Sequence, residues 1–109
     1  MARMLATVVT AVSVTALAGT SATMQTKSAA DVYADKCAVC HGADGAGKTV
    51  KGKKLKVKDV RDTSAKMTAP QMVDIVMKGK DPDMEAFGKE LGPEMSKQIV
   101  EYYRSLAKK

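Results

Sequence analysis

The sequence predicts an all-α protein of one small domain, with three main helices and two long loops. A chain of 109 residues leaves no room for a second domain. Three stretches carry helix start signals or helical spacing of apolar residues, whereas strand-like alternation is confined to one short segment. Three tyrosines and one phenylalanine are too few to fill a core, so we expect the loops to wrap a bound group.

The first helix is predicted over residues 29–39, because Ser28 suits an N-cap and neither Gly nor Pro interrupts the segment before Gly42. Residues 48–62, here called the lysine-rich segment, are predicted to be an extended loop, with a short strand as the alternative. Residues 80–92 are predicted to be the second irregular stretch. The partial alternation in the lysine-rich segment comes from Leu55, Val57 and Val60.

The second and third helices have stronger local signals. Thr68 and Gln71 have the spacing of a capping box, which predicts a helix over residues 69–78 that ends at Gly79. Pro93 is suited to the first turn of the last helix. One buried stripe is predicted on that helix from Met95, Ile99, Tyr102, Tyr103 and Leu106.

Residues 1–22 are predicted to be a signal peptide rather than part of the domain. Arg3 precedes an apolar, uncharged run of 14 residues, and small residues place cleavage after Ala18 or Ala22. The run is shorter than the roughly 20 residues that span a bilayer, so no permanent membrane anchor is expected. We therefore expect residues 23–109 to be exported to the periplasm as one domain.

Cys37, Cys40 and His41 form the C-x-x-C-H motif typical of covalent haem attachment. Two sulfurs at this spacing can reach the two vinyl groups of one porphyrin, and the next imidazole can bind the iron. A thioredoxin-like pair would need a preceding strand, and the residues before Cys37 are predicted to be helical. A zinc site would need a further ligand such as Asp44, and a chance match is the remaining alternative.

The sixth position on the iron cannot be a second histidine, because His41 is the only one in the chain. A methionine, a lysine or water remains. Met84 is predicted to be the ligand, because it stands in a polar loop without periodicity that would bury it; Met67 is the main alternative. Phe87 is expected to close the same side of the porphyrin. Helical stripes already account for Met72, Met77 and Met95.

These residues resemble the class I monohaem c-type cytochromes, in particular the short bacterial ones, over residues 29–106. Tyr33 stands where the family has an aromatic four residues before the first cysteine, and residues 42–47 match its Gly-rich loop. Residues 84–87 match its ligand segment, although Glu85 replaces the usual proline.

The resemblance implies a cytochrome c-like fold wrapped around one covalently bound haem c. In that family the first and last helices cross at close range. By analogy Ala29 and Tyr33 would contact Tyr102.

The formal net charge of +6 favours an acidic partner. Six lysines lie within eleven residues, and a solvated loop kept soluble by charge is an equally open interpretation. Nucleic acid is not an expected partner, since aromatic residues for base stacking are scarce. The lysines are Lys48, Lys51, Lys53, Lys54, Lys56 and Lys58.

The sequence thus predicts a soluble exported electron carrier, expected to be a monomer, that exchanges single electrons with an acidic oxidase or reductase and is not an enzyme. Two alternatives stay open. One is a haem enzyme or gas sensor with an open sixth iron position. The other is a dedicated haem subunit of a larger oxidoreductase complex.

Overall fold

The computed structural model describes residues 10–13 and 27–109. Within these ranges the chain forms helices joined by loops, and its only β-pairing is an isolated bridge between Lys80 and Met84. This confirms the all-α prediction. Most of the predicted signal peptide lies outside the described residues, so the cleavage site stays a prediction. None of the described helices combines the length and hydrophobicity needed to cross a bilayer.

The first helical segment has three parts that follow each other without a break. Helix α1 (Ala29–Val32) continues through a π-helical turn (Tyr33–Cys37) into helix α2 (Ala38–His41). The Ser28 side chain accepts a hydrogen bond from a first-turn backbone N–H, as the sequence predicts. Gly42 ends the segment with a φ of 82°, so the helix extends two residues beyond its predicted end.

The prediction of an extended loop for the lysine-rich segment is wrong. The chain there forms helix α3 (Val50–Leu55) and helix α4 (Val60–Lys66). Thr49 caps α3 and Asp59 caps α4, each by accepting a hydrogen bond from a first-turn backbone N–H. Lys56 ends α3 in the left-handed region, with a φ of 58°.

Helix α5 (Ala69–Lys78) has its predicted bounds. Both halves of the capping box are formed: the Thr68 hydroxyl accepts from the Gln71 N–H, and the Gln71 side chain accepts from the Thr68 N–H. Gly79 ends the helix with a φ of 77°.

Helix α6 (Gly88–Ser105) is broken at Gly92, which has a φ of 70° and a ψ of 171°. Its long regular part therefore begins at Pro93, as predicted, and a helical turn precedes the break where the sequence predicted irregular chain. A short 3₁₀ turn (Leu106–Lys108) follows α6. The fully buried Ser96 hydroxyl donates to the Gly92 carbonyl at 2.7 Å, which fixes the break.

The core consists of two clusters of buried side chains. Tyr33 and Val60 are central to the first, here called the Tyr33 cluster, which is completed by Val32, Cys37, Ile99 and Leu106. The second, here called the Met72 cluster, consists of Met72, Val76, Phe87 and Val100. Leu91 and Tyr103 pack against both clusters and so connect them.

The first and last helices cross as the resemblance implies. The rings of Tyr33 and Tyr102 have centroids 5.2 Å apart, and Ala29 packs against the same cluster. An ion pair between Lys36 and Glu90 joins the two helices at the surface. The crossing holds the segment with the cysteines against α6.

Candidate haem site

The two cysteines lie on consecutive helical turns, and both are free thiols. Cys37 ends the π-helical turn and is buried in the Tyr33 cluster, whereas Cys40 on α2 is half-buried. Burial raises the pKa of the Cys37 thiol to about 11. A thiol with such a raised pKa is a poor nucleophile, so it does not fit a thioredoxin-like redox pair. The helical segment that precedes the motif does not fit that alternative either.

His41 is the last residue of α2, directly after Cys40. Its ring packs edge-on against Tyr103, with centroids 5.1 Å apart. Burial lowers the pKa of the imidazole, which favours the neutral form that binds metals. The Nδ1 atom is buried and has no hydrogen-bond partner among the described residues. A buried neutral imidazole with an unpaired nitrogen fits the axial position of a haem iron.

The backbone around the motif is fixed by side chains from neighbouring elements. The Thr49 hydroxyl lies 2.8 Å from the Val39 carbonyl oxygen and 3.2 Å from that of Cys40, and donates towards both. The Tyr33 hydroxyl donates to the Gly42 carbonyl at 2.6 Å. The sequence prediction missed Thr49. Its signal was a hydroxyl residue just before a segment without proline, which is the pattern of an N-cap.

Met84 lies in a short loop that its own backbone closes. Its N–H donates to the Lys80 carbonyl and its carbonyl accepts from the Lys80 N–H, at 2.9 and 2.8 Å. The half-buried Met84 side chain packs against the Met72 cluster, of which Phe87 is a buried member. The structure thus brings Met84 and Phe87 to one cluster, in agreement with the sequence prediction.

Met67, the alternative ligand, packs against the same cluster. Its carbonyl accepts a hydrogen bond of 2.8 Å from the Arg104 guanidinium. Tyr103 contacts His41 and also packs against this cluster, so it joins the histidine to the elements that carry both methionines. The chain therefore holds two thiols, one imidazole and two candidate thioethers on connected elements, which is a donor set suited to haem c. Within the described ranges, His, Cys, Asp and Glu side chains form no cluster of three or more that would hold a metal ion.

Comparison with known proteins agrees with this site. The sequence model of a family described as "Cytochrome C oxidase, cbb3-type, subunit III" matches residues 24–102. The structure titled "KustC0563 c-type cytochrome" is 26% identical, with a TM-score of 0.67, over 73% of this chain and 98% of that one. A structure of a Kustc0563 point mutant is 24% identical, with a TM-score of 0.66 over 73% and 99% of the two chains, and bears on the fold alone.

The c-type cytochrome XoxG from Methylobacterium extorquens AM1 is a more distant structural match. It is 26% identical, with a TM-score of 0.57, and the alignment covers 72% of this chain and 48% of XoxG. This chain thus aligns with about half of that protein. None of the curated proteins compared with the chain is a significant match.

The fold and the donor set define a c-type cytochrome. The chain belongs to the family whose sequence model matches residues 24–102, and it is a monohaem cytochrome of class I. Membership implies haem c as the cofactor and electron transfer as the general activity.

Proposed function

We propose that the chain is an electron carrier whose haem c is attached by thioethers to Cys37 and Cys40 and ligated by His41 and Met84. The observation that carries this proposal is the succession of Cys37, Cys40 and His41 on one helical segment that ends in a buried, neutral imidazole. When bound, haem c supplies an iron centre that gains and loses a single electron.

The protein side chains hold the motif and exclude water from it. Tyr33 and Thr49 fix the carbonyls on either side of the histidine, so the imidazole is presented on rigid backbone. Ligation from the protein on both sides of the iron leaves no open position for oxygen or substrate. That arrangement supports electron transfer rather than catalysis.

Met84 is the proposed sixth ligand in preference to Met67. The Lys80–Met84 bridge holds Met84 at the end of a closed loop, and its half-buried thioether borders the Met72 cluster. Met67 begins the approach to α5, and its backbone is already bonded to Arg104. The family resemblance of residues 84–87 supports the same choice.

An oxidised-state spectrum tests the ligand assignment. The wild-type protein should show the weak near-infrared band of sulfur bound to ferric haem. Met84→Ala should abolish the band, whereas Met67→Ala, a matched change on the same cluster, should keep it. A band lost in Met67→Ala and kept in Met84→Ala would assign Met67 instead. A wild-type protein without the band would support the alternative of an open sixth position.

Export to the periplasm and an acidic redox partner complete the proposal. The apolar run after Arg3 supports export, and the formal charge of +6 supports the partner's acidity. N-terminal sequencing of the haem-containing protein tests both predicted cleavage sites at once.

A second candidate follows from the description of the matched family, which names an oxidase subunit. In that case the chain would be a dedicated haem subunit with the same redox chemistry. Mild detergent extraction followed by size-exclusion chromatography separates the two. A carrier runs at the size of the free chain, whereas a dedicated subunit co-elutes with an oxidase.

A further inference from the structure

One face of the molecule combines exposed apolar side chains with unpaired positive charge. Val39 is 54% exposed and Val50 is 90% exposed. Together with Leu55 they line a shallow depression of about 490 Å³. Thr49, Lys51 and Lys54 complete its lining, and we call this surface the α3 face. Large apolar side chains this exposed are costly unless something covers them.

The charge around the α3 face is of one sign. Residues 45–58 contain no acidic side chain, and the lysines between Lys48 and Lys58 are all exposed. None of them forms an ion pair within the described part of the chain. Elsewhere lysines do pair, as Lys78 does with Asp74. The unpaired charge is therefore concentrated where the apolar depression lies.

The α3 face adjoins the haem attachment motif. Val39 stands between Cys37 and Cys40 in sequence, and Thr49 bonds the carbonyl of Val39. Gly52 packs directly on the Cys40 carbonyl, so α3 touches α2 with no side chain between them. A partner seated on the α3 face would lie against the segment that carries the cofactor.

We propose that the α3 face is the docking surface for an acidic redox protein, with Val39 and Val50 at the centre of the contact and lysines at its rim. This inference rests on the proposed electron-carrier function. A central apolar contact within a charged rim is the usual anatomy of a protein interface, and the charges accelerate the encounter.

Two other occupants fit the face less well. A second copy of this chain in a two-fold contact would bring the same lysines against each other. A membrane surface is bound by aromatic or leucine side chains that insert into it, whereas the exposed apolar residues here are short valines beside a depression. A partner with acidic residues around an apolar protrusion matches both the charge and the shape.

The test is electron transfer to the intact haem protein from reduced flavodoxin, a small acidic redox protein used as the probe. Stopped-flow rates are measured at low and high ionic strength. At low ionic strength, Lys51→Glu combined with Lys54→Glu should slow the reaction by about tenfold or more. Lys66→Glu with Lys108→Glu makes the same change in net charge away from the face and should slow it less than about threefold. High salt should remove the difference.

Val50→Ser tests the apolar centre without a change in charge. It should slow the reaction at both ionic strengths, whereas Ala65→Ser on exposed α4 should not. Equal slowing by the two double-lysine variants would overturn the proposal, since only net charge would then matter. Unchanged rates in Val50→Ser would overturn the apolar contact.

Three further measurements separate this proposal from its alternatives. Sedimentation with phosphatidylglycerol vesicles at physiological salt that depends on Lys51 would assign the face to lipid. Self-association lost in Val50→Ser would assign it to a second copy. Each result would overturn the proposal. The spectrum and potential of each variant, taken without flavodoxin, report on the electron-carrier function itself, so its failure is recognised separately.

Discussion

Tyr33 supports the backbone next to His41 through one buried hydrogen bond. Its side chain is 2% exposed, and burial raises the pKa of the phenol, so the hydroxyl stays a donor. Tyr33→Phe removes the donor and leaves the Gly42 carbonyl unsatisfied. We expect the free energy of unfolding to fall by about 1–2 kcal/mol. Guanidinium chloride titration of the haem protein measures this change.

Tyr102→Phe is the matched control, because the Tyr102 ring packs on Tyr33 while no described contact uses its hydroxyl. It should change the midpoint little. Equal losses in the two variants would mean that the Tyr33 hydrogen bond contributes nothing of its own.

At the same scale, the sequence predicted the site unevenly. Cys37, Cys40 and His41 follow from spacing alone, because the chemistry needs them adjacent. Met84 comes from a distant loop, and only its lack of a periodic role singled it out. Thr49 was missed because its partners are backbone carbonyls on α2, and such a contact exists only once the chain has folded.

At the scale of elements, α4 depends on its N-cap. Asp59 accepts side-chain hydrogen bonds from Arg61 and a backbone bond from the Arg61 N–H, and these bonds lower its pKa to about 2. Because the pKa is lower in the folded state, the contribution to stability is present above the ordinary pKa of 3.8 and lost as pH falls through about 2.

Asp59→Asn should therefore flatten the pH dependence of thermal stability in this acid range, because the variant has no carboxyl to protonate there. Melting temperatures of the haem protein between about pH 5 and pH 2 measure it. Asp62→Asn, on the same helix but outside these hydrogen bonds, should keep the wild-type slope. An unchanged slope in Asp59→Asn would refute the assignment.

The contact between α2 and α3 depends on Gly52. A Cβ at this position would overlap the Cys40 carbonyl oxygen and lie 2.5 Å from that of Gly47. Alanine normally stabilises a helix by about 1 kcal/mol relative to glycine. Overpacking against rigid backbone costs about 1–3 kcal/mol, so the clash should outweigh the propensity.

Gly52→Ala should consequently lower the melting temperature of the haem protein and the yield of attached haem. Lys53→Ala, on the same helix but exposed, should leave both near wild type. A melting temperature that rises in Gly52→Ala would show that α3 shifts away without loss.

Local signals explain which elements the sequence could predict. The capping box of α5 involves only Thr68 and Gln71, three residues apart, so its bounds were found. In the lysine-rich segment, apolar side chains among charged ones resembled a strand, and the prediction failed. Its two helices are short and depend on caps and on the close approach of Gly52 to α2, which are tertiary features.

At the scale of the whole molecule, two small clusters replace one large core. The Tyr33 and Met72 clusters share only partly buried side chains, Leu91 and Tyr103 among them. The His41 ring contacts Tyr103, and Met84 borders the Met72 cluster. A haem held by both ligands would add apolar contacts between the histidine segment and the Met84 loop. The cofactor is then a structural element of the fold as well as its redox centre.

Cofactor removal should therefore abolish cooperative folding. Cys37→Ala combined with Cys40→Ala prevents covalent attachment. Without the porphyrin, the four aromatic side chains of the sequence give the clusters little area to bury. We expect the colourless chain to keep some helical circular dichroism but to lose the near-ultraviolet signal and the sharp calorimetric transition. Cys40→Ala alone, which retains one thioether, should stay coloured and melt cooperatively at a lower temperature. A colourless double variant that unfolds in one sharp transition would show that the two clusters suffice without haem.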